Sequence, residues 1–537
     1  MQPDISRSSV TSGVMRATNP RTGERLADVP VTPLNEIPKV LERARAAQAG
    51  WAAMGPQQRA GLLQEAQQEF LRSAEELVGT VVAENGKPRS EALIAEIFAS
   101  SQLFAFWTQL GLNWLRPENV PLPESRHPGK RMQIDRVPRG VVGVISTWNY
   151  PVALPLRTMV PALLAGNAVA FKPSEWAPRA GARLFQAFTR VLPKDVVVLI
   201  QGDGRQGAMM LTGHPEGLEA PSDARGVDFV SFTGSPSSGG LVGQACSRRL
   251  IPCSLELGGK DAAIVRADAD MDRTVRGLLW ATLTNAGQNC AAVERIYVDA
   301  RVHDELVGRM VEAVKGLRAA TEPGPAPANL EVGPITMPAQ REHIHALVVE
   351  AVQKGATLHL GGKMLHGPGR YYPPTVLSGV TDQMRISREE TFGPVVAISR
   401  VQTDEEAVQR TNASPYGLNA SVWTGDLDAG EALARRLRAG VTLVNNHCFT
   451  AGIPMAPWGG VGRSGFGSTN GREALHELTR PQVVVVDSNE KAPDLWWHPY
   501  NKPLEEIAQA MVEMEKKDAN VQAALDRIQA AAAVRFP

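Results

Sequence analysis

The sequence predicts an α/β protein built from two doubly wound parallel sheets. Short strands and helices alternate from Val141 to Phe232 and again from Ala262 to Val444, as in parallel sheets that helices cover on both faces. The strand-like runs are almost continuously apolar, which is typical of strands buried on both sides. The length, 537 residues, is enough for two or three domains with a large core.

Composition argues against several classes of partner. Lys plus Arg (56) equals Asp plus Glu (56), so neither nucleic acid nor an anionic membrane is an expected partner. The longest apolar stretch, 140–170, is broken by Arg157 and by prolines and is a poor membrane span. The four cysteines form no CxxC pair and no zinc-finger spacing exists, so we expect neither a metal site nor disulfides. The N-terminus lacks the features of a signal peptide, and a cytoplasmic location is therefore predicted.

The N-terminal third is predicted to be mostly helical. Residues 1–13 are polar and expected to be loose, and Asn19–Glu24 predicts a turn between two short strands. From Leu34 to Leu115 apolar residues recur at helical spacing, interrupted at Gly55-Pro56 and at Gly86-Lys87-Pro88. We interpret this region as packing helices.

The elements of the first predicted sheet follow in order. Residues 131–137 alternate as in an edge strand or hairpin arm, and the polar segment Gly213–Gly226 is interpreted as a surface loop. The predicted strands are 141–145, 168–171, 196–200 and 228–232, with helices at 154–164, 180–192 and 206–211.

A second α/β region is predicted to begin near Leu255. Its predicted strands are 262–265, 295–298, 357–360, 395–400 and 442–444, with helices at 271–284, 302–317 and 338–355. A late strand of high β-propensity spans 482–486. The tail from Asp487 carries an aromatic cluster at Trp496-Trp497-His498-Pro499-Tyr500 and the pattern of two amphipathic helices.

The chemistry is expected at the polar turn Gly287-Gln288-Asn289-Cys290. A thiolate is a strong nucleophile, although a cysteine taken by itself is more often a small buried apolar residue. Four other motifs strengthen the catalytic interpretation, and all but the last end predicted strands, where ligands of parallel sheets bind. They are Thr147-Trp148-Asn149-Tyr150-Pro151, Phe171-Lys172-Pro173-Ser174-Glu175, Phe232-Thr233-Gly234-Ser235 with Gly239, and Leu255-Glu256-Leu257-Gly258-Gly259-Lys260, which opens the second region.

In this order and spacing, the motifs resemble the NAD(P)-dependent aldehyde dehydrogenase superfamily. The resemblance runs from about Met15 to Val486 and includes 389–394 and 457–460. The tail and residues 213–226 lie outside it. The motif register is most similar to the branch that acts on fatty and aromatic aldehydes.

The resemblance implies oxidation of an aldehyde to a carboxylic acid. Cys290 matches the nucleophile, which forms a thiohemiacetal and then a thioester. The Asn149 side chain and the Cys290 N–H match the oxyanion donors, and Glu256 matches the base that activates water.

The resemblance also assigns the cofactor, NAD with NADP possible. Lys172 and Glu175 match residues that bind the adenosine ribose, and a carboxylate there would repel a 2′-phosphate. Gly234 and Ser235 match the pyrophosphate contact at a helix start. The remaining implied cofactor residues are Trp148, Gly239, Leu257, Glu390 and Phe392.

The substrate is less determined. An apolar substrate pocket is suggested by the side chains of Trp148, Leu154, Phe449 and Trp458. Arg157 keeps a carboxylated semialdehyde as a second candidate substrate. The protein could also be a CoA-acylating aldehyde dehydrogenase or a non-catalytic structural or binding descendant of the fold. The sequence departs from many relatives at two places: Thr158 stands where they have a lysine, and Ser468-Thr469-Asn470 separates Ser464-Gly465-Phe466-Gly467 from Gly471-Arg472-Glu473.

The resemblance implies a homo-oligomer, a dimer or tetramer, through the strands 131–137 and 482–486. It also implies a domain division. The NAD-binding domain has an N-terminal helical part at 1–130 and a core at 140–255, with the oligomerisation strand region at 131–139 between them. The catalytic domain follows at 256–445, then the active-site loop and C-terminal oligomerisation strand at 446–487, and a helical extension at 488–537.

Overall fold

A computed structural model describes residues 10–535, except 12, 125–126, 215–224, 325, 328, 490–492 and 495. Most of the predicted loop at 213–226 and of the loose N-terminus at 1–13 lies outside the described residues. The chain divides into two units, one formed by residues up to 116 and 136–480 and the other by residues 117–135 and 481–537.

The strands, in chain order, are β1 Val10–Thr11, β2 Val14–Met15, β3 Val29–Pro30, β4 Glu118–Val120, β5 Lys130–Pro138, β6 Val141–Ile145, β7 Ala168–Lys172, β8 Val197–Leu199, β9 Phe229–Thr233, β10 Cys253–Glu256, β11 Asp261–Val265, β12 Val293–Asp299, β13 Thr357–Leu360, β14 Thr375–Ser378, β15 Val395–Val401, β16 Asn419–Trp423, β17 Val441–Val444, β18 Gly465–Phe466 and β19 Thr479–Asp487.

The helices are α1 Ile37–Ala53, α2 Pro56–Arg72, α3 Ala74–Asn85, α4 Arg89–Glu91, α5 Ala99–Gln109, α6 Ala153–Leu164, α7 Pro178–Thr189, α8 Gly204–Thr212, α9 Pro236–Arg248, α10 Met271–Leu283, α11 His303–Lys315, α12 Pro338–Gln353, α13 Asp404–Asn412, α14 Leu427–Ala434, α15 Gly471–Leu478, α16 Lys502–Met514 and α17 Val521–Ala533. A π-helical segment, Ala92–Phe98, joins α4 to α5.

The first sheet has the order β18-β10-β9-β6-β7-β8, and its five longer strands are parallel. Alternate residues of its strands point to opposite faces. Val142 and Val144 of β6 pack with α2, α5, α6 and α7, while Val141 and Ile145 pack with α1, α8 and α9. Because helices cover both faces, every residue of β6 and β7 is buried, and the predicted doubly wound sheet is confirmed.

The second sheet has the order β13-β14-β15-β12-β11-β16-β17, with all neighbours parallel except β13 and β14. Helices α10, α11 and α12 pack on one face, and α13 and α14 pack on the other. This confirms the second predicted α/β region. No helix among the described residues is both long and apolar enough to cross a membrane.

The second unit contains a three-stranded sheet in the order β19-β5-β4, followed by the helical hairpin of α16 and α17. Ile507 and Ala510 of α16 are buried, as are Ala524 and Ala531 of α17. The two amphipathic helices predicted for the tail are therefore present. Four valines of β19, Val483 to Val486, are 37–55% exposed in this chain.

Some elements were not predicted. Strands β10, β14 and β16 were missed because polar residues interrupt their short sequences, and helices α13, α14 and α15 were missed because they have only eight or nine residues. The omission of β10 matters most, because this strand belongs to the first sheet and carries Glu256 at its end.

Candidate active site

The turn that carries Cys290 leads from α10 to β12 through an unusual backbone. Asn285, Ala286 and Gly287 all have positive φ angles, 52°, 56° and 70°. Such a run is rare for residues with a side chain. At Gly287 a Cβ atom would lie 2.1 Å from the carbonyl oxygen of Gly393, so glycine is needed there on two grounds. Cys290 therefore emerges from a turn with little freedom to move.

Hydrogen bonds hold this turn in place. The Gln288 side chain donates to the carbonyl oxygens of Asn285 (3.0 Å) and Pro334 (3.2 Å) and accepts from the N–H of Thr336 (2.8 Å). The Asn289 amide donates to Sγ of Cys448 at 3.1 Å. Within the described residues, no protein group accepts a hydrogen bond from the Cys290 N–H, which leaves this donor available to a ligand.

Asn149 lies just after β6, and its side chain is buried beside the same turn. Its Nδ2 atom donates to the carbonyl oxygen of Gln288 at 3.1 Å. The amide has a second N–H, and Oδ1 has no hydrogen-bond partner among the described residues. The structure thus brings the predicted oxyanion donor, Asn149, next to the backbone of the predicted nucleophile.

The N-terminal helices do more than pack. Lys87 donates from Nζ to the carbonyl oxygen of Asn149 at 2.9 Å and to Glu96 at 2.6 Å. Glu96 in turn accepts from the N–H groups of Val152 (3.1 Å) and Ala153 (2.8 Å). The interpretation of residues 34–115 as packing helices alone is therefore incomplete, because this region also supplies two buried charges that hold the Asn149 backbone.

Glu256 is the last residue of β10, which pairs in parallel with β9. From the sequence, every motif except the one with Glu256 was predicted to end a strand. That exception was wrong, because Glu256 also lies at the carboxyl edge of the first sheet. Burial raises the pKa of Glu256 to about 8, opposed by the charge of Arg157 and by a hydrogen bond from Trp458. Oε1 of Glu256 has no hydrogen-bond partner among the described residues.

The thiol of Cys290 is kept in its neutral form. Burial raises its pKa well above the usual range, and the negative charge of Glu256 raises it further, while Arg157 lowers it. A thiol in this environment needs a base to become the nucleophilic thiolate. Glu256 acts on the Cys290 thiol electrostatically and, with a pKa of about 8, is itself half ionised near pH 8.

Arg157 lies on α6, eight residues after Asn149 in the chain, and is partly buried. Burial lowers the pKa of its guanidinium, whereas the charges of Cys290 and Glu256 raise it. No hydrogen bond or ion pair joins the Arg157 side chain to any described protein group. The neighbouring Thr158, at the position where many relatives have lysine, bonds to the Ser231 hydroxyl at 2.8 Å.

The four predicted pocket residues are not equivalent. Trp458 is 2% exposed, packs in the apolar cluster that touches Cys290, and donates to Glu256. Trp148 and Leu154 are partly buried, and Phe449 is 46% exposed. Cys448 belongs to the cluster with Trp458 and was not predicted from the sequence, because its contact with Asn289 joins residues 159 positions apart.

At the end of β7, Lys172 is 3% exposed and its Nζ lies 3.9 Å from Oε2 of Glu175. The pair stands at the carboxyl edge of the first sheet, where dinucleotides bind in such folds. A carboxylate at this position can accept hydrogen bonds from both ribose hydroxyls of an adenosine group.

Helix α9 begins directly after β9, and Ser235 caps it by accepting a hydrogen bond from the N–H of Ser238 at 3.2 Å. A helix N-terminus that faces a sheet edge favours phosphate groups. Gly239 lets this helix approach the next segment, because a Cβ atom there would lie 2.4 Å from the Leu257 side chain. These features fit the pyrophosphate of a dinucleotide.

The segment Glu390-Thr391-Phe392, called the clamp segment below, lies on the other side of the Cys290 turn. Oε1 of Glu390 accepts from the N–H of Gly259 at 3.0 Å, and Phe392 has a φ angle of 47°. The rings of Phe392 and Trp148 meet edge to face, with centroids 5.6 Å apart. Burial and the charge of Glu294 raise the pKa of Glu390. The clamp segment fits the ribose and ring at the other end of the dinucleotide.

Among the described residues no group of three His, Cys, Asp or Glu side chains could hold a metal ion.

Comparison with known proteins agrees with this geometry. The family model "Aldehyde dehydrogenase family" matches residues 7–484. A protein of Mycolicibacterium smegmatis named "Putative succinate-semialdehyde dehydrogenase (NADP+)" is 36% identical over 474 residues, which is 87% of each chain. Among solved structures, lactaldehyde dehydrogenase from Escherichia coli has a TM-score of 0.81 at 31% identity, covering 89% of this chain and 96% of its own. An aldehyde dehydrogenase of Mycobacterium tuberculosis complexed with NAD+ has a TM-score of 0.81 at 29% identity, covering 90% and 96%. The chain belongs to the aldehyde dehydrogenase family and is an NAD(P)-dependent enzyme that oxidises aldehydes.

Proposed function

We propose that Cys290 is the nucleophile, Asn149 the oxyanion donor and Glu256 the general base of this enzyme. The observation that carries the proposal is the buried Glu256 carboxylate, whose Oε1 has no hydrogen-bond partner among the described residues and whose charge acts on the Cys290 thiol. A buried carboxylate without a full set of partners is costly for stability and is retained where it performs chemistry.

In the first half of the reaction the ionised Glu256 carboxylate takes the proton of the Cys290 thiol and passes it to solvent, and the sulfur attacks the aldehyde carbon. The carbonyl oxygen becomes an oxyanion, which the second N–H of the Asn149 amide and the Cys290 N–H stabilise. Removing one such donor typically costs about 3–4 kcal/mol in the transition state. When bound, NAD(P)+ supplies the hydride acceptor, and Cys290 is left carrying the acyl group as a thioester.

In the second half Glu256 takes a proton from a water molecule, and the resulting hydroxide attacks the thioester carbon. The C–S bond breaks, the carboxylic acid is released, and the Cys290 thiolate recovers a proton. Because an ionised Glu256 can do this, water rather than coenzyme A is the proposed acyl acceptor.

We further propose that the substrate is an aldehyde that also carries a carboxylate. Arg157 supports this, since it is a partly buried cation with no hydrogen bond or ion pair to the described residues, and it acts electrostatically on Cys290. A cation that is partly removed from water and has no protein partner can be satisfied by a bidentate contact with a carboxylate. The name of the mycolicibacterial relative, a succinate-semialdehyde dehydrogenase, agrees with this substrate class.

The test compares two aldehydes of equal length, one ending in a carboxylate and one in a methyl group, with wild type, Arg157→Lys and Arg157→Met. Losing a charged hydrogen bond should lower kcat/KM for the carboxylated aldehyde by about 10- to 100-fold in Arg157→Met. The ratio of kcat/KM between the two substrates should shift toward the neutral aldehyde, with Arg157→Lys in between. An unchanged ratio would reject the carboxylate and favour the apolar pocket of Trp148, Leu154 and Phe449.

Three further proposals concern the preference for NAD, the oligomeric state and the location of the enzyme. Glu175 supports a preference for NAD, but Lys172, 3.9 Å away, offsets part of the charge that would repel a 2′-phosphate. The exposed valines of β19 support a homodimer or homotetramer, because an apolar strand of this kind is normally covered. We also propose a cytoplasmic location, in which the four cysteines stay reduced.

A further inference from the structure

A second set of buried charges lies beside the nucleophile and takes no part in the mechanism above. Nζ of Lys260 is 2.6 Å from Oε2 of Glu294, and the two side chains are 0% and 7% exposed. Removing two charges from water often costs as much as their attraction returns. A contribution to stability therefore does not explain why a buried ion pair occurs at this place.

Among the described residues, the other side-chain hydrogen bonds of the pair all go to the clamp segment. Oε2 of Glu294 accepts from the N–H of Thr391 and Oε1 accepts from the N–H of Phe392, both at 2.8 Å. Nζ of Lys260 donates to the Thr391 hydroxyl at 3.0 Å. The two charged side chains together fix three groups of two adjacent residues.

The backbone of Phe392, which the pair holds, has a conformation that needs support from its surroundings. Phe392 has a φ angle of 47°, in the left-handed region that residues with side chains rarely adopt. Such a conformation persists only where the surroundings over-determine it. The two N–H groups that Glu294 accepts are those of Thr391 and of Phe392 itself, so the carboxylate acts directly on the strained residue.

The same pair is tied closely to the nucleophile. Glu294 lies four residues after Cys290, at the start of β12, and Lys260 follows Gly258 and Gly259. At Gly259 a Cβ atom would meet the Cys290 carbonyl oxygen at 2.4 Å, and its N–H donates to Glu390. Gly259 thus connects the Cys290 backbone to the clamp segment through one close backbone approach and one hydrogen bond.

We propose that the Lys260–Glu294 pair is a positioning device that holds the clamp segment at the distance from Cys290 that hydride transfer requires. The inference rests on the proposed function, in which the clamp segment contacts the nicotinamide end of the cofactor. Lys260 and Glu294 do not touch the reacting atoms and act through Thr391 and Phe392. The residues proposed for the adenosine ribose, Lys172 and Glu175, and for the pyrophosphate, Ser235, follow β7 and β9 of the first sheet, whereas Glu294 lies on β12 of the second.

The principal variant is Glu294→Gln, which keeps the shape but replaces one acceptor oxygen by an N–H group and removes the charge. A small misplacement of reacting groups can cost about 100-fold in rate. We expect the first-turnover burst of NADH, measured by stopped flow, to slow by about this factor. The dissociation constant of NAD, measured by calorimetry, should change less than about threefold, because one end of the cofactor keeps its contacts. The rate of alkylation of Cys290 by iodoacetamide should stay at the wild-type value.

A matched control is Glu350→Gln. Glu350 also pairs with a lysine, Lys354, at 2.6 Å and accepts a backbone N–H, that of Arg385, at 3.0 Å. This variant loses the same kinds of contact away from the clamp segment and should keep the wild-type burst rate. If Glu294→Gln fails to fold, Thr391→Val removes only the bond from Lys260 and should slow the burst by a smaller factor with unchanged NAD affinity.

A Glu294→Gln enzyme with a wild-type burst rate would overturn the inference, and so would equal losses in burst rate, NAD affinity and Cys290 alkylation, which indicate a general structural role. A Cys290→Ala enzyme that forms NADH at the wild-type rate would instead reject the proposed function. The two failures are therefore distinguishable in one set of measurements.

Discussion

Replacing Glu256 by glutamine should abolish the pH dependence of turnover as well as most of its rate. Because burial sets the pKa of Glu256 at about 8, roughly a tenth of the carboxylate is ionised at pH 7 and roughly nine-tenths at pH 9. The base works only when ionised, so kcat limited by thioester hydrolysis should rise about tenfold between these pH values.

In Glu256→Gln no group titrates at this position, and the rate should be flat over the same range. Loss of a general base typically costs about 10²–10⁴-fold. The deficit relative to wild type should be about tenfold smaller at pH 7 than at pH 9, where the wild-type base is fully ionised. The amplitude of the first NADH burst should persist, because each Cys290 can still form one thioester.

Arg157→Met provides a control on the cause of the pH dependence. Since the charge of Arg157 lowers the pKa of Glu256, its removal should move the inflection of kcat to higher pH. The assay is stopped-flow and steady-state NADH absorbance over about two pH units on either side of the Glu256 pKa, with the acid product quantified with and without coenzyme A. A pH-independent wild type, a Glu256→Gln enzyme with the wild-type steady-state rate, or a CoA thioester as main product would each refute the reasoning.

Further predictions concern the nucleophile, the cofactor and assembly. Cys290→Ala should bind NAD with nearly unchanged affinity and show no turnover, while the controls Cys246→Ala and Cys253→Ala stay active. If Cys290→Ala kept a tenth of the wild-type turnover, a loss of only about 1.4 kcal/mol, this result would contradict covalent catalysis. Glu175→Gln should raise the ratio of kcat/KM for NADP to that for NAD, and an unchanged ratio would exclude contact with the ribose. Light scattering at micromolar concentration should give at least a dimer, and Val483→Lys with Val485→Lys should weaken it; a wild-type monomer would contradict the proposal.

Much of the fold and the candidate reacting groups could be predicted from the sequence. Strand β6 has the predicted bounds because its continuous apolar run between turn residues leaves few alternatives, and β13 has them because its polar and apolar residues alternate. Cys290, Asn149 and Glu256 could be proposed together before any contact was known, because their motifs follow one another in a specific order. Short strands without such runs, above all β10, could not be predicted from the sequence.

Only the tertiary structure decided how the groups are partnered. Whether Arg157 is paired, whether Glu256 is ionised at neutral pH, and what holds Asn149 and Phe392 in place depend on contacts between residues far apart in the chain. Lys87 and Asn149 are 62 positions apart, and Asn149 and Gln288 are 139 positions apart. Local sequence determines which side chains are available and which backbone shapes are accessible. Burial and charge proximity arise when the chain packs, and they set the pKa values and the unpaired atoms on which the chemistry depends.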